Sequence, residues 1–117
     1  MVGLDTNLLV SAHRTTAPHH QESKRLLESL AEGPAPFALF WPCLYGFFRV
    51  VTHARIFGPP TSPEEALQQV RVMTRVPAVR LLTETDRHAE ILRRIVAESE
   101  ATGNLIHDAH LVVLALE

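Results

Sequence analysis

The stretch MVGLDTNLLVSA, residues 1–12, decides how this chain folds. A short apolar run, Val2–Leu4, is followed at once by polar residues and then by apolar residues at helical spacing. This pattern predicts a strand that ends at Asp5 and turns directly into a helix. Ligands of parallel sheets bind at the carboxyl ends of the strands, so a carboxylate at this position can hold a cation. Asp5 or Thr6 can also serve only as the N-cap of the helix, and both interpretations stay open at this point.

Length and composition fit one small cytoplasmic domain. The chain has 117 residues, of which 46% are apolar, so it can bury a core of its own. Its single cysteine, Cys43, excludes an internal disulfide framework and is typical of a reducing compartment. We find no signal peptide, and no apolar run approaches the ~18 residues of a membrane helix. The net charge of −2 excludes the overall basic surface of a DNA-coating protein.

Helices and strands are predicted to alternate along the rest of the chain. Helices are predicted to begin near Pro18, Pro42 and Ser62, after a capping box at residues 83–86, and at residue 107, where the last helix extends to residue 117. Strands are predicted at residues 37–41 and Val79–Leu82, and a loop at residues 52–60. The positions predicted to face the core include Leu26, Leu27 and Leu30 in the second helix and Ala89, Leu92, Ile95 and Val96 in the fifth. This order predicts an α/β fold in which a short parallel sheet is flanked by helices on both faces.

A second carboxylate, Asp108, lies at the start of the last predicted helix. The partial positive charge of a helix N-terminus stabilises its ionised form, although capping alone also explains an aspartate there. Asp5 and Asp108 could converge at one end of a parallel sheet. Two carboxylates that converge repel each other unless a cation lies between them, and Mg²⁺ or Mn²⁺ would suit such oxygen ligands.

Three stretches of the chain resemble the motifs of PIN-domain ribonucleases. They are residues 5–9 (DTNLL), residues 47–53 (FFRVVTH) with Ile56 and Phe57, and residues 103–110 (GNLIHDAH). Within that family, the chain is most similar to the VapC-type toxins of bacterial toxin–antitoxin pairs. The resemblance extends over almost the whole chain.

The resemblance implies an Mg²⁺-dependent endoribonuclease. In this interpretation Asp5 and Asp108 are the catalytic metal ligands, and Asn7 lies beside them to orient a ligand or a water. Thr6 would cap the first helix and contact the site through its hydroxyl group. The implied partners are RNA, a VapB-type antitoxin and a second copy of the chain, and no membrane is implied.

Two departures from the family pattern predict reduced or absent activity. The family has a glutamate in its middle motif, where this chain has Gly46, a residue that costs ~1 kcal/mol relative to alanine inside a helix. The family also continues beyond the position of Glu117, so residues 1–117 are interpreted as one PIN-like domain truncated at its C-terminus. We expect Gly46→Glu together with a family-like C-terminus to restore RNA cleavage. The alternative is a non-catalytic PIN-like module that binds an antitoxin.

Other reactive side chains have simpler interpretations. His107 and His110 are three residues apart, but the histidines lack the spacing of a zinc hydrolase and are predicted to face solvent. Cys43 is predicted to be a buried structural thiol. The arginines at positions 14, 49 and 55 either contact RNA phosphates or form surface salt bridges.

Overall fold

A computed structural model of the chain describes residues 1–99. The elements, in chain order, are β1 (Val2–Leu4), α1 (Thr6–His13), α2 (His20–Glu32), β2 (Phe37–Phe40), α3 (Trp41–Val51), α4 (Pro63–Thr74), β3 (Val79–Leu82) and α5 (His88–Ser99). The strands form one parallel sheet in the order β1-β2-β3, which confirms the predicted α/β fold. Residues 1–81 make one compact unit, and the described residues from 82 onward lie outside it. None of the described helices combines the length and the apolar character needed to cross a bilayer.

The middle strand, β2, supplies the centre of the core within residues 1–81. All four of its side chains are buried, as expected for a parallel strand that is covered on both faces. The other buried apolar side chains of this unit come from β1, α1, α3 and α4: Leu4, Leu9, Val10, Cys43, Leu44, Phe47, Val51, Ala66 and Met73. In the register of the sheet Leu4 pairs with Leu39, so β1 and β2 end at the same edge. Helices α1 and α3 therefore both begin at that edge.

Phe40, the last residue of β2, packs across its neighbour strand. A Cβ atom added to Gly3 would lie 2.7 Å from Cε2 and 2.8 Å from Cζ of the Phe40 ring. A contact this short would force the ring to shift, so glycine at this position allows Phe40 to pack closely against β1. The missing side chain leaves the space that the buried phenylalanine ring fills.

Most of the predicted boundaries are confirmed. β1 and β3 have the predicted limits, and α1 follows directly after Asp5. Ser62 caps α4 as its sequence signal predicts, since its Oγ accepts a hydrogen bond from the Glu65 amide at 3.2 Å. Gly33 is the C-cap of α2. Residues 52–60 contain only turns and bends after the end of α3.

Several predicted positions are wrong, each for a local reason. β2 ends one residue early, because Trp41 already starts α3. α2 begins at His20 rather than near Pro18, since His19 adopts a left-handed conformation with φ of 61° and separates the proline from the helix. Leu26, predicted to face the core, is 44% exposed.

The start of α5 also differs from the prediction. Thr83 does not cap it, because its hydroxyl donates to Glu84 Oε2 at 2.8 Å, and the helix begins only at His88. The buried residue of this helix is Ile91, whereas Ala89 is exposed and Leu92 is half-buried. The buried face of α5 is thus centred on a different residue from the predicted one, and nothing in the structure explains the difference. The helix predicted at residues 107–117 lies outside the described residues.

Candidate functional site

Asp5 lies at the carboxyl end of β1 and is the N-cap of α1. Its backbone is extended, with φ of −92° and ψ of 173°, and its Oδ1 accepts a hydrogen bond from the Leu8 amide at 3.0 Å. The side chain is exposed, and within residues 1–99 its second oxygen accepts no hydrogen bond. The capping role is thus confirmed, but it uses only one oxygen. Among the described residues, the other oxygen is left without a hydrogen bond.

Thr6 has a different role from the predicted one. It does not cap α1, because Asp5 does, and Thr6 is the first residue inside the helix. Its Oγ1 donates to the carbonyl oxygen of Cys43, in the first turn of α3, at 3.2 Å. The hydroxyl group therefore joins the beginnings of two helices.

Gly46 lies against Thr6. A Cβ atom at position 46 would be 2.7 Å from Oγ1 and 3.1 Å from Cγ2 of Thr6. The side chain of the first residue of α1 thus fills the space that a side chain on α3 would need. Glycine inside a predicted helix was the one sign of this contact in the sequence, because such a glycine often marks a close approach.

The remaining predicted site residues differ in how far the structure places them. Asn7 and Arg49 are exposed, on the first turn of α1 and the last turn of α3 respectively. Within residues 1–99, Arg49 forms no ion pair. Asp108, His107 and His110 lie outside the described residues, so the predicted approach of Asp108 to Asp5 stays a prediction. No three potential metal ligands cluster in the described part of the chain.

Arg14 makes several contacts with the chain itself. Its Nη1 donates to Thr61 Oγ1 at 3.0 Å, and its Nη2 donates to the Pro59 carbonyl oxygen at 2.7 Å. Its guanidinium group also lies 4.5 Å from the centroid of the Phe57 ring. Arg14 therefore fastens residues 52–61, here called the 52–61 loop, to the end of α1.

His13 strengthens the same attachment, which the sequence did not reveal. Its Nε2 is 3.0 Å from Thr61 Oγ1, and its ring meets Phe47 edge to face at 5.3 Å between centroids. Because Arg14 donates to the hydroxyl oxygen of Thr61, the hydroxyl proton is free to point to a neutral Nε2. Burial first, and then the positive charge of Arg14, lowers the pKa of His13 below its ordinary value. Glu65 opposes this lowering and His20 adds to it.

The Cys43 thiol is buried, as predicted. Burial raises the pKa of this thiol, and its hydrogen bonding with Thr6 offsets part of the effect. A buried thiol with a raised pKa is a poor nucleophile at neutral pH. Cys43 is therefore structural in this unit.

An apolar groove of about 400 Å³ runs between α3 and α4. Its walls are mostly aromatic and aliphatic, and they include Trp41, Tyr45, Phe48, Leu67, Val70 and Arg71. Tyr45 is 73% exposed, and its ring lies 6.2 Å from that of Trp41. Exposed aromatic side chains of this kind are common where a protein partner binds.

Comparison with known proteins places these features in a family. The PIN domain profile matches residues 2–117. The chain is 42% identical over 117 residues to VapC ribonuclease Mb2897 of Mycobacterium bovis, covering all of this chain and 80% of that protein. It is 37% identical over 110 residues to ribonuclease VapC48 of Mycobacterium tuberculosis, covering 94% of this chain and 76% of the relative. Ribonuclease VapC37 of the same species is 36% identical over 114 residues, which are 97% of this chain and 79% of that protein.

Proposed function

Because this chain belongs to the PIN domain family, and within it to the VapC ribonucleases, we propose that it is the toxin of a type II toxin–antitoxin pair and an endoribonuclease that depends on a divalent metal ion. The observation that carries the proposal is the exposed carboxylate of Asp5 at the carboxyl end of β1. This is where a parallel sheet presents a ligand-binding side chain.

The donor chemistry of the site suits Mg²⁺ or Mn²⁺. Such ions are usually held by one or two carboxylates, together with waters and substrate phosphates. Asp5 offers one oxygen that accepts no hydrogen bond from residues 1–99, and we assign the second carboxylate to Asp108. When bound there, the metal ion would supply an activated water and neutralise charge on the scissile phosphate.

Two further side chains are assigned to the RNA. Arg49 is exposed and has no ion pair within residues 1–99, so its guanidinium group can donate two parallel hydrogen bonds to a phosphate. Asn7 is exposed in the first turn of α1, two residues after the cap, and its carboxamide can orient a water or a substrate oxygen. Arg14 is not assigned to the RNA here, because two of its guanidinium donors already hold the 52–61 loop.

We further propose that turnover by this chain is low. Gly46 contributes no carboxylate at the position of the family's glutamate, so fewer negative charges hold the metal ion. Gly46→Glu by itself is not expected to repair the site, since its Cβ would lie 2.7 Å from Thr6 Oγ1 and would displace the neighbour of Asp5. A metal titration is therefore a more direct test than a rate.

The test compares Asp5→Asn with Ser62→Ala. Asparagine caps a helix about as well as aspartate, so Asp5→Asn removes the charge but preserves α1. We expect it to abolish Mn²⁺ binding in isothermal titration and any RNA cleavage that EDTA inhibits. Ser62→Ala removes the cap of α4, costs about 1 kcal/mol of unfolding free energy and leaves Mn²⁺ binding intact. Undiminished Mn²⁺ affinity in Asp5→Asn would contradict the proposal.

The second candidate function is a non-catalytic module that binds an antitoxin, and the groove between α3 and α4 favours it. An amphipathic antitoxin segment would place apolar side chains against Tyr45 and its neighbours. We expect Tyr45→Ala to weaken capture of the antitoxin encoded by the adjacent gene about tenfold or more. Val72→Ala is the control, since Val72 is 50% exposed on α4 but does not line the groove. Antitoxin binding without Mn²⁺ binding or RNA cleavage would favour this module over the nuclease.

A homodimer completes the proposed assembly. Sedimentation of the purified chain, with and without the antitoxin, tests it independently of the metal site. A monomer at micromolar concentration in both samples would refute the dimer.

A further inference from the structure

The beginnings of α1 and α3 meet at an unusually close contact. Thr6 Oγ1 donates to the Cys43 carbonyl oxygen at 3.2 Å, and Gly46 lies one helical turn beyond Cys43. A Cβ atom at position 46 would approach Thr6 Oγ1 to 2.7 Å, whereas contacts below 3.0 Å essentially never occur for real Cβ atoms. Position 46 therefore has no room for any side chain while Thr6 stays in place.

Thr6 is held from two sides by this contact. The hydrogen bond to α3 fixes its hydroxyl group, and its Oγ1 and Cγ2 atoms occupy the space that a Cβ atom at position 46 would need. Rotation about χ1 would break this hydrogen bond, and a β-branched side chain has few other rotamers to adopt. Any side chain at position 46 would have to move Thr6 itself.

Moving Thr6 would also move Asp5. The two residues are adjacent, and the Asp5 carboxylate is oriented by the Leu8 amide in the same first turn of α1. To bring the contact from 2.7 Å to an ordinary 3.4 Å, Oγ1 must shift by about 0.7 Å. A functional side chain has to be held within about 0.5 Å of its productive position.

We propose that Thr6 and Gly46 are positioning residues for Asp5, with Gly46 contributing an empty space that lets Thr6 lock the first turn of α1 against α3. This inference rests on the proposed function, because only a metal-binding role for Asp5 requires its carboxylate to be held in a fixed orientation. In this inference, Gly46 contributes to the site because it has no side chain, which leaves the space that Thr6 occupies.

The test uses the variants Gly46→Ala, Thr6→Ala and their combination. In the combination both close atoms are gone, and the remaining contact, with Cβ of residue 6, is an ordinary 3.5 Å. The positioning of Asp5 is read without metal, as solvent exchange of the Leu8 amide by NMR, and Asp5→Ala marks complete loss of that cap. The Glu65 amide, which Ser62 caps in the same way on α4, is the internal control for overall stability. Gly58→Ala is the control substitution, because an added Cβ there meets nothing within 4 Å.

We expect Gly46→Ala to raise the ratio of the Leu8 exchange rate to the Glu65 exchange rate, to a value near that of Asp5→Ala. The same substitution should weaken Mn²⁺ binding about tenfold or more. Thr6→Ala alone removes the lock without creating a clash, so it should raise Leu8 exchange and weaken Mn²⁺ binding by less than Gly46→Ala does. The combination should recover to the level of Thr6→Ala, because the close contact is gone. An unchanged ratio of Leu8 to Glu65 exchange in Gly46→Ala or in Thr6→Ala, or a double variant as impaired as Gly46→Ala, would overturn the inference. A wild-type protein that protects Leu8 but neither binds Mn²⁺ nor cleaves RNA would instead refute the proposed function, and the exchange ratios would still decide the positioning role.

Discussion

Replacing Thr61 by valine tests how the 52–61 loop is fastened to α1. Valine has the shape of threonine but lacks the hydroxyl group, so the substitution removes hydrogen bonds without opening a cavity. Thr61 is only 4% exposed, and its hydroxyl lies 3.0 Å from both Arg14 Nη1 and His13 Nε2. Both partners lose this contact at once.

The expected cost follows from these contacts. A buried polar group left without a partner costs about 1–3 kcal/mol. Arg14 keeps its bond to the Pro59 carbonyl oxygen at 2.7 Å, and water can reach the half-buried side chains of both partners, which lowers the cost. The added methyl group returns about 0.8 kcal/mol by burial. We therefore expect the free energy of unfolding to fall by about 1–2 kcal/mol.

Urea unfolding of the whole chain measures this difference, with Thr74→Val as the matched control. The Thr74 hydroxyl donates to the Val70 carbonyl oxygen at 2.9 Å within its own helix, a local bond of small net value. We expect the control to change stability by less than about 0.5 kcal/mol. Equal effects of the two substitutions would refute the role assigned to Thr61.

Three further predictions follow from the same packing. Because the pKa of His13 is lowered in the folded state, the folded protein binds a proton at this site less readily than the unfolded chain does. The contribution of His13 to stability is therefore full above about pH 6.5 and is lost as the pH falls below that value. Urea midpoints between pH 5 and 8 should depend less on pH in His13→Gln, and an unchanged dependence would contradict this prediction. Arg14→Lys should cost about 1 kcal/mol, because one ammonium group cannot replace a two-pronged donor; weaker RNA binding at unchanged stability would instead assign Arg14 to the substrate. Gly3→Ala should destabilise the chain by about 1–3 kcal/mol in urea, because its Cβ would lie 2.7 Å from the Phe40 ring, and Phe40→Leu in the same chain should recover part of the loss.

The fold could be read from the sequence wherever local chemistry decides it. The short apolar runs at Val2–Leu4 and Val79–Leu82 gave the correct strands, and the Ser62 cap gave the correct start of α4. Prediction was wrong where a single residue changes the backbone or uses its side chain differently. The left-handed conformation of His19 delays α2, and the hydrogen bond from Thr83 to Glu84 removes the predicted cap of α5.

The candidate site was predictable only in part, because its main contacts join distant residues. The position of Asp5 follows from the local turn from strand to helix. The contact of Thr6 with Gly46 joins residues forty positions apart, and the sequence shows only an unexplained glycine. The contacts of Arg14 are equally hidden in the sequence, since nothing local indicates that the loop beyond α3 returns to it. The approach of Asp108 to Asp5 stays a prediction.

The buried thiol of Cys43 can be used to measure local opening of the protein, because its reaction with a labelling reagent requires exposure to solvent. It is the only sulfhydryl group in the sequence, it is fully shielded from solvent, and its backbone carbonyl holds Thr6. An alkylating reagent can reach it only when the surrounding structure opens, so the rate of labelling in native buffer reports the free energy of that local opening. A substrate or metal ion that stabilises the beginnings of α1 and α3 would slow the labelling.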